Sequence, residues 1–123
     1  DAEDHRIRVL APLPEGGYTV STLAGDGVAG WANGPLASAR FNRPASLALD
    51  PEGRLYVADY WNHRLQVIEA GEVRTVTGGP NDAYVDGPVG VARFSKPVAV
   101  AIGPDGAIYV ADSYPHGVRK VSP

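Results

Sequence analysis

Histidine and aspartate recur at matching places along the chain, and both residue types can bind metal ions. His63 and His116 lie 53 residues apart, and each follows an aspartate, Asp59 or Asp112, by four residues. His5 precedes His63 by 58 residues and also follows an aspartate by four. Imidazole is a common metal ligand, so three such residues would form a metal site if they converged on one point.

These residues belong to an internal repeat, because residues 21–70 align with residues 74–123 at a constant offset of 53 without a gap. The segment Tyr56–Asp59 falls on Tyr109–Asp112 in this alignment. A third, partial copy opens the chain at an offset of 58, and residues 11–17 form a lengthened turn that absorbs the difference. A repeat of this size cannot bury its own apolar face, so the copies are expected to stack on one another.

Within one copy, the apolar residues alternate with the period of β-strands. Four strands are predicted, at residues 44–50, 54–58, 64–69 and 72–77, and turn sequences rich in Gly and Pro separate them. Each copy is therefore predicted to be a four-stranded antiparallel meander. The fold class that follows is all-β, because repeated units of four strands are typical of β-propeller blades.

Several sequence motifs resemble those of a known family. They are T-L-A-G, N-G-P, A-R-F-N-x-P and L-A-L-D-P-E-G-R-L-Y-V-A-D, followed by Asn62–Leu65, which approximates an Asn-His-Leu element. The chain resembles NHL-repeat proteins in these motifs over essentially its whole length. The resemblance implies propeller blades, rings of about six blades, and surfaces that bind proteins or occasionally RNA. The last copy departs from the pattern, with Tyr114–Gly117 in place of Trp61–Arg64.

The strand pattern divides the chain into three units and leaves both ends incomplete. Residues 1–25 hold the two outer strands of a partial blade, residues 26–77 a long loop and a full blade, and residues 78–123 a long loop and a blade without its outermost strand. Exposed sheet edges aggregate unless they are covered. We expect the cover to be another copy of the chain, joined head to tail in a ring or a filament, or the remaining blades of a longer parent protein.

Assembly from identical chains has a definite geometry and one difficulty. Residues 18–25 of a second copy would complete the last blade, and three chains of two blades would close a six-bladed ring. The third strand of the last blade would then compete with residues 5–10, which occupy the same place in the partial copy.

Stacked blades argue against a metal site at the repeated histidines. Equivalent positions in neighbouring blades of a six-bladed ring are related by a rotation of roughly 60 degrees, so His5, His63 and His116 diverge. We therefore expect these histidines to stabilise blades through hydrogen bonds, and we expect Asp59 and Asp112 to accept bonds from nearby backbone N–H groups.

Two further repeated pairs are also predicted to be structural. Phe41 and Phe94 should pack between blades, while Arg40 and Arg93 cover them and donate to loop carbonyl groups. Their strand positions direct Tyr56 and Tyr109 into the same interface. The sequence thus assigns a structural role to the positions Arg40, Phe41, Asp59, His63, Arg93, Phe94, Asp112 and His116.

The sequence gives little support for catalysis. Ser46, His63 and Asp59 lack the G-x-S-x-G context that presents a nucleophile beside a base. Propeller enzymes with an axial cation use inner-strand carboxylates and amides, but Asn42 and Asp50 become Ser and Gly in the next copy. No nucleotide-binding motif is present, so neither a cofactor nor an enzymatic activity is predicted. A fragment of a larger propeller hydrolase with an axial cation is kept as an alternative.

Aromatic residues in the loops suggest a binding surface instead. Half of the aromatic residues fall in connections that emerge on one face of the meanders, and aromatic enrichment is typical of interaction sites. Trp31 and Tyr84 are equivalent in the repeat, which favours loop packing. The copies differ at Tyr60, which with Trp61, Tyr114 and Pro115 forms the predicted contact patch for a partner protein, or alternatively for a peptide or glycan.

Composition sets the remaining bounds. The formal net charge of -3 and the pI near 5.5 argue against a nucleic-acid surface. No apolar run reaches the roughly 18 residues of a membrane-spanning helix, so no membrane partner is expected. Cysteine is absent, so there is neither a disulfide framework nor a thiolate metal site, and the redox compartment does not follow from it. Position 1 is not Met, which favours a mature or excised chain, and a secreted or periplasmic location is slightly favoured.

Overall fold

The computed structural model describes residues 1–114 and 116–122, and this part of the chain consists of short antiparallel strands. The strands are β1 (Ile7–Pro12), β2 (Tyr18–Ala24), β3 (Gly34–Pro35), β4 (Pro44–Leu49), β5 (Leu55–Asp59), β6 (Arg64–Glu69), β7 (Glu72–Gly78), β8 (Pro97–Ile102), β9 (Ile108–Asp112) and β10 (Gly117–Val121). A single 3₁₀ turn, Tyr60–Asn62, follows β5. None of the described segments is a helix with the length and apolar character needed to cross a membrane.

The strands form three sheets in the order that the repeat predicts. Strands β1 and β2 pair as an N-terminal hairpin, strands β4 to β7 form a first blade, and strands β8 to β10 form a second blade of three strands. The all-β propeller-blade architecture is confirmed, and the four strands of the first blade lie within one residue of their predicted bounds.

One strand was not predicted. Strand β3 pairs with the outer edge of β7, where Gly34 lies opposite Val73 and Pro35 opposite Glu72. The long loop that precedes the first blade therefore returns to cap the blade's outermost strand. Two residues of Gly and Pro carry no β-propensity, and their partner lies far along the chain, so no local pattern reveals this pairing.

Two apolar clusters hold the three sheets together. The first lies between the N-terminal hairpin and the first blade, and the second lies between the first and second blades. Phe41 is completely buried in the first cluster and Phe94 almost completely in the second, which is the packing between sheets predicted for these repeated positions. The clusters consist of Ile7, Ala24, Ala39, Phe41, Val57, Ile68 and Val73, and of Tyr56, Ala58, Leu65, Val67, Phe94, Val100, Ile108 and Val110.

Equivalent residues differ in burial where a neighbouring blade is missing. Tyr56 faces the second blade and is 7% exposed, whereas Tyr109 faces outward from the second blade and is 36% exposed. The prediction that both tyrosines lie in a blade interface is therefore wrong for Tyr109, because no further sheet of the described chain covers that face. Leu47 is likewise 45% exposed, while the equivalent Val100 is 8% exposed against the first blade.

A repeated glycine lies at the end of the fourth strand in both the partial copy and the first blade, beside the start of the third strand. Gly25 and Gly78 have positive φ angles of 104° and 113°. A Cβ atom at Gly25 would lie 2.7 Å from the carbonyl oxygen of His5, and one at Gly78 would contact the carbonyl oxygen of His63. Both the conformation and the close approach require glycine, which accounts for its recurrence.

Candidate protein-binding surfaces

Each repeated histidine lies just before the third strand of its copy, and its backbone has a left-handed conformation. The φ angles are 54° at His5, 56° at His63 and 70° at His116. The Nδ1 atom of His5 accepts a hydrogen bond from the backbone N–H of Arg43 at 3.1 Å, and Nδ1 of His63 contacts the carbonyl oxygen of Ser95. Each of these two rings thus links its own sheet to the next one along the chain.

These two contacts require opposite tautomers. An acceptor at Nδ1 of His5 places the ring proton on Nε2, while a carbonyl partner at Nδ1 of His63 requires the proton on Nδ1. The rings lie on different sheets, and the described residues contain no group of three His, Cys, Asp or Glu side chains that could hold a metal ion. The ring of His116 instead lies against Tyr114, with centroids 6.1 Å apart.

Asp59 anchors the corner of the first blade. Its carboxylate accepts hydrogen bonds from the backbone N–H of Asn42 at 2.9 Å and from Nδ2 of Asn62 at 2.6 Å. The side chain is fully buried. Burial raises the pKa of Asp59 to about 7, although these two hydrogen bonds and the nearby Arg64 favour the charged form.

The equivalent Asp112 is held differently. It accepts hydrogen bonds from the backbone N–H groups of Ser95 at 2.9 Å and Lys96 at 2.6 Å. The guanidinium of Arg119 lies 3.6 Å away. Asp59 and Asp112 therefore both hold the loop that precedes the first strand of their blade. The partner side chain is the amide of Asn62 at Asp59 and the guanidinium of Arg119 at Asp112.

The residues considered for catalysis have separate partners. The hydroxyl of Ser46 accepts a hydrogen bond from the backbone N–H of Val100 at 3.2 Å, which joins β4 to β8. His63 and Asp59 make the contacts described above, so each of the three side chains has its own separate partners. Asp50 likewise binds within its own turn, accepting bonds from the backbone N–H of Arg54 at 2.8 Å and from its Nε at 2.6 Å. Burial opposes the charge of Asp50, but the hydrogen bonds from Arg54 prevail and lower its pKa.

The repeated arginines divide into two cases. Arg93 donates to the carbonyl oxygens of Gly90, Val91 and Ala92 at 2.9 to 3.1 Å, as predicted for this position. Arg40 instead forms an ion pair with Asp26 at 2.7 Å. The prediction of loop carbonyl partners is wrong for Arg40, because Asp26 supplies a carboxylate where the second copy has Gly79.

The predicted aromatic patch is only partly brought together. The rings of Tyr60 and Trp61 meet edge to face with centroids 5.2 Å apart, and Lys96 Nζ lies 5.5 Å from the Trp61 ring centroid. A cavity of about 400 Å³ lies beside them between the two blades. Its lining consists of Ala2, Arg43, Ala45, Tyr60, Trp61 and Val98. Tyr114 contacts His116 and does not line this cavity, and Pro115 lies outside the described residues.

A network of polar side chains holds the outermost strand of the first blade. The Thr75 hydroxyl on β7 donates to Oε1 of Gln66 at 2.6 Å and accepts from Nδ2 of Asn33 at 3.1 Å. The Asn33 carbonyl in turn accepts from Nε2 of Gln66 at 2.9 Å. Trp31 donates to the same hydroxyl at 3.3 Å and stacks under the guanidinium of Arg64 at 4.1 Å.

The second blade has a charged version of this network and no fourth strand in the described part of the chain. Arg119 takes the place of Gln66, and Asp86 takes the place of Asn33. The two form an ion pair, and the Arg119 guanidinium lies 4.0 Å from the ring centroid of Tyr84, the counterpart of Trp31.

A groove of about 470 Å³ runs along the free edge of β10 beside this pair. Its walls are β10 on one side and the loop through Gly87 and Pro88 on the other, which correspond to the walls that enclose β7 in the first blade. We call this space the open groove. Arg119 and Asp86 were not predicted as site residues, although the paired exchange of amides for charges between the two copies is a signal visible in the sequence.

The architecture of these sheets identifies the class of protein, a β-propeller built from repeated blades. The family model for the NHL repeat matches residues 41–68 and 94–120, which cover most of each blade. A mouse protein, NHL-repeat-containing protein 4, is 30% identical over 111 residues, which are 85% of this chain and 73% of the relative. Chicken NHL repeat-containing protein 2 is 37% identical over 71 residues, which are 56% of this chain and 9% of the relative.

A solved structure shows the same fold. An auxiliary nutrient binding protein from Bacteroides ovatus superposes with a TM-score of 0.86 and 24% identity over 99% of this chain. The match covers 33% of that chain, so the present chain spans about a third of its length. The repeat matches and the similarity to the mouse relative show that the chain belongs to the NHL-repeat family.

Proposed function

We propose that the chain is a non-catalytic NHL-type propeller module that acts through protein–protein contacts and assembles head to tail with further copies of itself. The observation that carries this proposal is the pair of uncovered blade faces at its two ends. Leu47 is exposed on the outer face of the first blade, and Tyr109 is exposed on the outer face of the second.

These two faces match each other because the chain already contains their contact. Between the first and second blades, Tyr56 packs with Val100 in one apolar cluster. Tyr109 and Leu47 hold the equivalent positions on the uncovered faces, so the second blade of one copy can pack on the first blade of the next as the two blades pack within a chain. Burying a side chain of this size contributes about 1.5–3 kcal/mol, which favours association.

The space for such a neighbour is present beside the N-terminal hairpin. A cavity of about 610 Å³ lies between the hairpin and β4, with Ile7, Leu10, Val20 and Leu47 in its lining. The first two strands of a blade would occupy this position, and the hairpin supplies only the last two. The contact is heterologous, so it closes into a ring or extends into a filament, and three copies would provide six blades.

Light scattering after size-exclusion chromatography tests this proposal over a range of protein concentrations. We expect a mass close to three times the 12.9 kDa of the chain for a closed ring, or a growing mass for a filament. The substitution Leu47→Asp should prevent assembly because it places a charge in the contact, while Val28→Asp, in an exposed loop, serves as the matched control. A mass of 12.9 kDa at every concentration would refute self-assembly.

The cavity beside Tyr60 and Trp61 supports a second candidate function, the binding of a peptide or glycan. Its volume of about 400 Å³ and its aromatic and arginine lining suit a short segment of either kind. We expect Tyr60→Ala with Trp61→Ala to abolish signals on peptide and glycan arrays without lowering the melting temperature. Identical array profiles for the variant and the parent chain would exclude this surface.

A further inference from the structure

We propose that the open groove holds strand β2 of a second copy, and that β10 of the first copy displaces β1 from its place beside β2. This inference rests on the proposed head-to-tail assembly and specifies how the composite blade is built. Three strands come from the second blade of one copy, and the fourth comes from the hairpin of the next. Strand β2 keeps its packing on its own first blade, since Ala24 stays buried there.

The first blade shows what the groove is shaped to receive. Strand β7 lies between β6 and β3, and its Val73 is fully buried while Thr75 is held by the polar network. The open groove offers the same surroundings, because Arg119 and Asp86 replace the network and apolar side chains line the space beneath. These apolar residues are Val89, Ala92, Phe94 and Val121.

A buried polar atom in the groove wall also lacks a partner. The hydroxyl of Thr77 is the one buried side-chain polar atom for which the described residues provide no hydrogen-bond partner. Thr77 is only 3% exposed and lines the open groove. A buried hydroxyl without a partner costs about 1–3 kcal/mol, and Thr77 borders the space that a strand would enter.

Strand β2 fits the groove in register. Thr75 lies opposite Gln66 in the first blade, and Thr22 lies opposite Arg8 in the hairpin. In both pairs of strands the register shifts just before this position, between Leu65 and Gln66 and between Ile7 and Arg8. Strand β10 carries Arg119 at this position, so β2 already pairs with a strand that has arginine opposite its threonine. The Thr22 hydroxyl would then lie between Arg119 and Asp86, and Val20 would take the buried place of Val73.

Strands β1 and β10 compete for the place beside β2, and β10 is the better anchored of the two. The Arg119 side chain is 6% exposed, and it donates to the carbonyl oxygens of Val85 at 2.8 Å and Arg93 at 3.1 Å. The Arg8 side chain is 34% exposed, and its ion pair with Asp1 spans 4.0 Å. Removing β10 would break the contacts of the buried Arg119 side chain, whereas displacing β1 takes the buried Ile7 out of the first cluster and lets Val118, its exposed counterpart on β10, take that place.

Engineered disulfides distinguish the two outcomes, since the chain has no cysteine of its own. The variant with Ser21→Cys and Lys120→Cys places the two thiols opposite each other if β10 pairs with β2 of another copy. The variant with Val9→Cys and Tyr109→Cys does so if β1 instead pairs with β9 of another copy. Directly opposed strand residues have Cβ atoms close enough for a disulfide.

We expect covalent oligomers on non-reducing gels from the first variant and only monomers from the second. The converse result, or no cross-linking by either variant while the parent chain remains oligomeric, would overturn the strand exchange and leave head-to-tail assembly intact. A parent chain that is monomeric by light scattering would refute the proposed function itself, so the two failures are separable.

The hydroxyl contact has its own test. Thr22→Val keeps the shape of the side chain but removes the hydroxyl, and we expect it to raise the dissociation constant for assembly about tenfold, as for the loss of a hydrogen bond to a charged group. Thr19→Val, on the same exposed strand, is the control and should leave the constant unchanged. Equal constants for the two variants would contradict the placement of Thr22 against Arg119 and Asp86.

Discussion

The two blades share most of their repeated residues but differ in what surrounds them. The first blade has four strands, a capping strand β3 and a neighbouring sheet on each side, although the hairpin leaves Leu47 on β4 exposed. The second has three strands, an open edge at β10 and one uncovered face. The same residue type is core in one blade and surface in the other, as Tyr56 and Tyr109 show. Repetition thus specifies where a side chain points, and the neighbouring sheet determines whether it is buried.

The two copies differ in the charge of the side chains at the outer edge of each blade, which is also where the two blades differ in structure. Neutral amides, Gln66 and Asn33, hold the outermost strand of the first blade. A guanidinium and a carboxylate, Arg119 and Asp86, stand at the edge of the second. The Arg119 side chain is buried while Asp86 is exposed at the rim of the groove, so this pair places a charge of each sign where an incoming strand would lie.

Truncation of the repeated phenylalanines should give the largest effect on stability. Phe41→Ala leaves a cavity enclosed on all sides, and we expect a loss near the upper end of the range of about 3–5 kcal/mol for such changes. Phe94→Ala should cost about 1 kcal/mol less, because Phe94 lines the open groove and water can enter the space. Urea denaturation followed by tryptophan fluorescence measures both values.

The comparison of Phe41→Ala with Phe94→Ala requires monomeric protein. Both variants should be measured at a concentration where light scattering shows monomers, since assembly would cover the groove. Equal losses in the monomer would mean that the open edge does not loosen the packing around Phe94.

The pH dependence of stability should come from the corner of the first blade. The pKa of Asp59 is raised to about 7, so between about pH 4 and pH 7 the folded chain holds a proton that the unfolded chain has released. The stability that protonated Asp59 contributes is therefore greatest below about pH 4, and it is lost as the pH rises from there through about 7. The expected loss is about 2 kcal/mol between pH 5 and pH 7.

Asp59→Asn isolates this dependence, because its side chain is neutral at every pH. The difference in unfolding free energy between the parent chain and the variant should shift in favour of the variant as the pH rises. Asp112→Asn is the matched control in the second blade. A parallel pH profile for the parent chain and Asp59→Asn would show that Asp59 does not hold its proton in the folded state.

Local sequence patterns were sufficient to predict the strands, but they did not predict the contacts that each strand makes with distant parts of the chain. Alternating apolar residues and Gly-Pro turns define β4 to β7 within one residue, because strand period and turn chemistry are local properties. The capping strand β3 was missed because its pairing with β7 is long-range. Arg40 and Tyr109 were wrongly assigned because their surroundings, Asp26 and an absent neighbouring sheet, differ between the copies.

The candidate surfaces were predictable to a smaller extent. Tyr60 and Trp61 do lie together, since they are adjacent in one 3₁₀ turn, and their role in binding stays a prediction. The open groove follows from the strand count, but its charged pair depends on two residues far apart in sequence. Only the alignment of the copies on a known fold brings Asp86 and Arg119 to the same place.

The smallest expected effect concerns the histidines that join successive sheets. His63 contacts the carbonyl oxygen of Ser95 in the second blade, whereas the ring of His116 makes no hydrogen bond within residues 1–114 and 116–122. Substitution by alanine imposes the same backbone cost at both positions, because both have positive φ angles. The difference between His63→Ala and His116→Ala therefore isolates the contact between blades, and it should be about 1 kcal/mol in the monomer.

Assembly should remove this difference. If the second blade of one copy packs on the first blade of another, His116 gains the kind of neighbour that His63 already has. We then expect His116→Ala to weaken assembly by roughly fivefold, which corresponds to a hydrogen bond of about 1 kcal/mol. Measurement of the dissociation constant by light scattering tests this, with His63→Ala as the control, because His63 contacts Ser95 of its own chain and keeps this partner in the assembly. Unchanged assembly in His116→Ala would show that the second blade does not meet its neighbour as the first blade does.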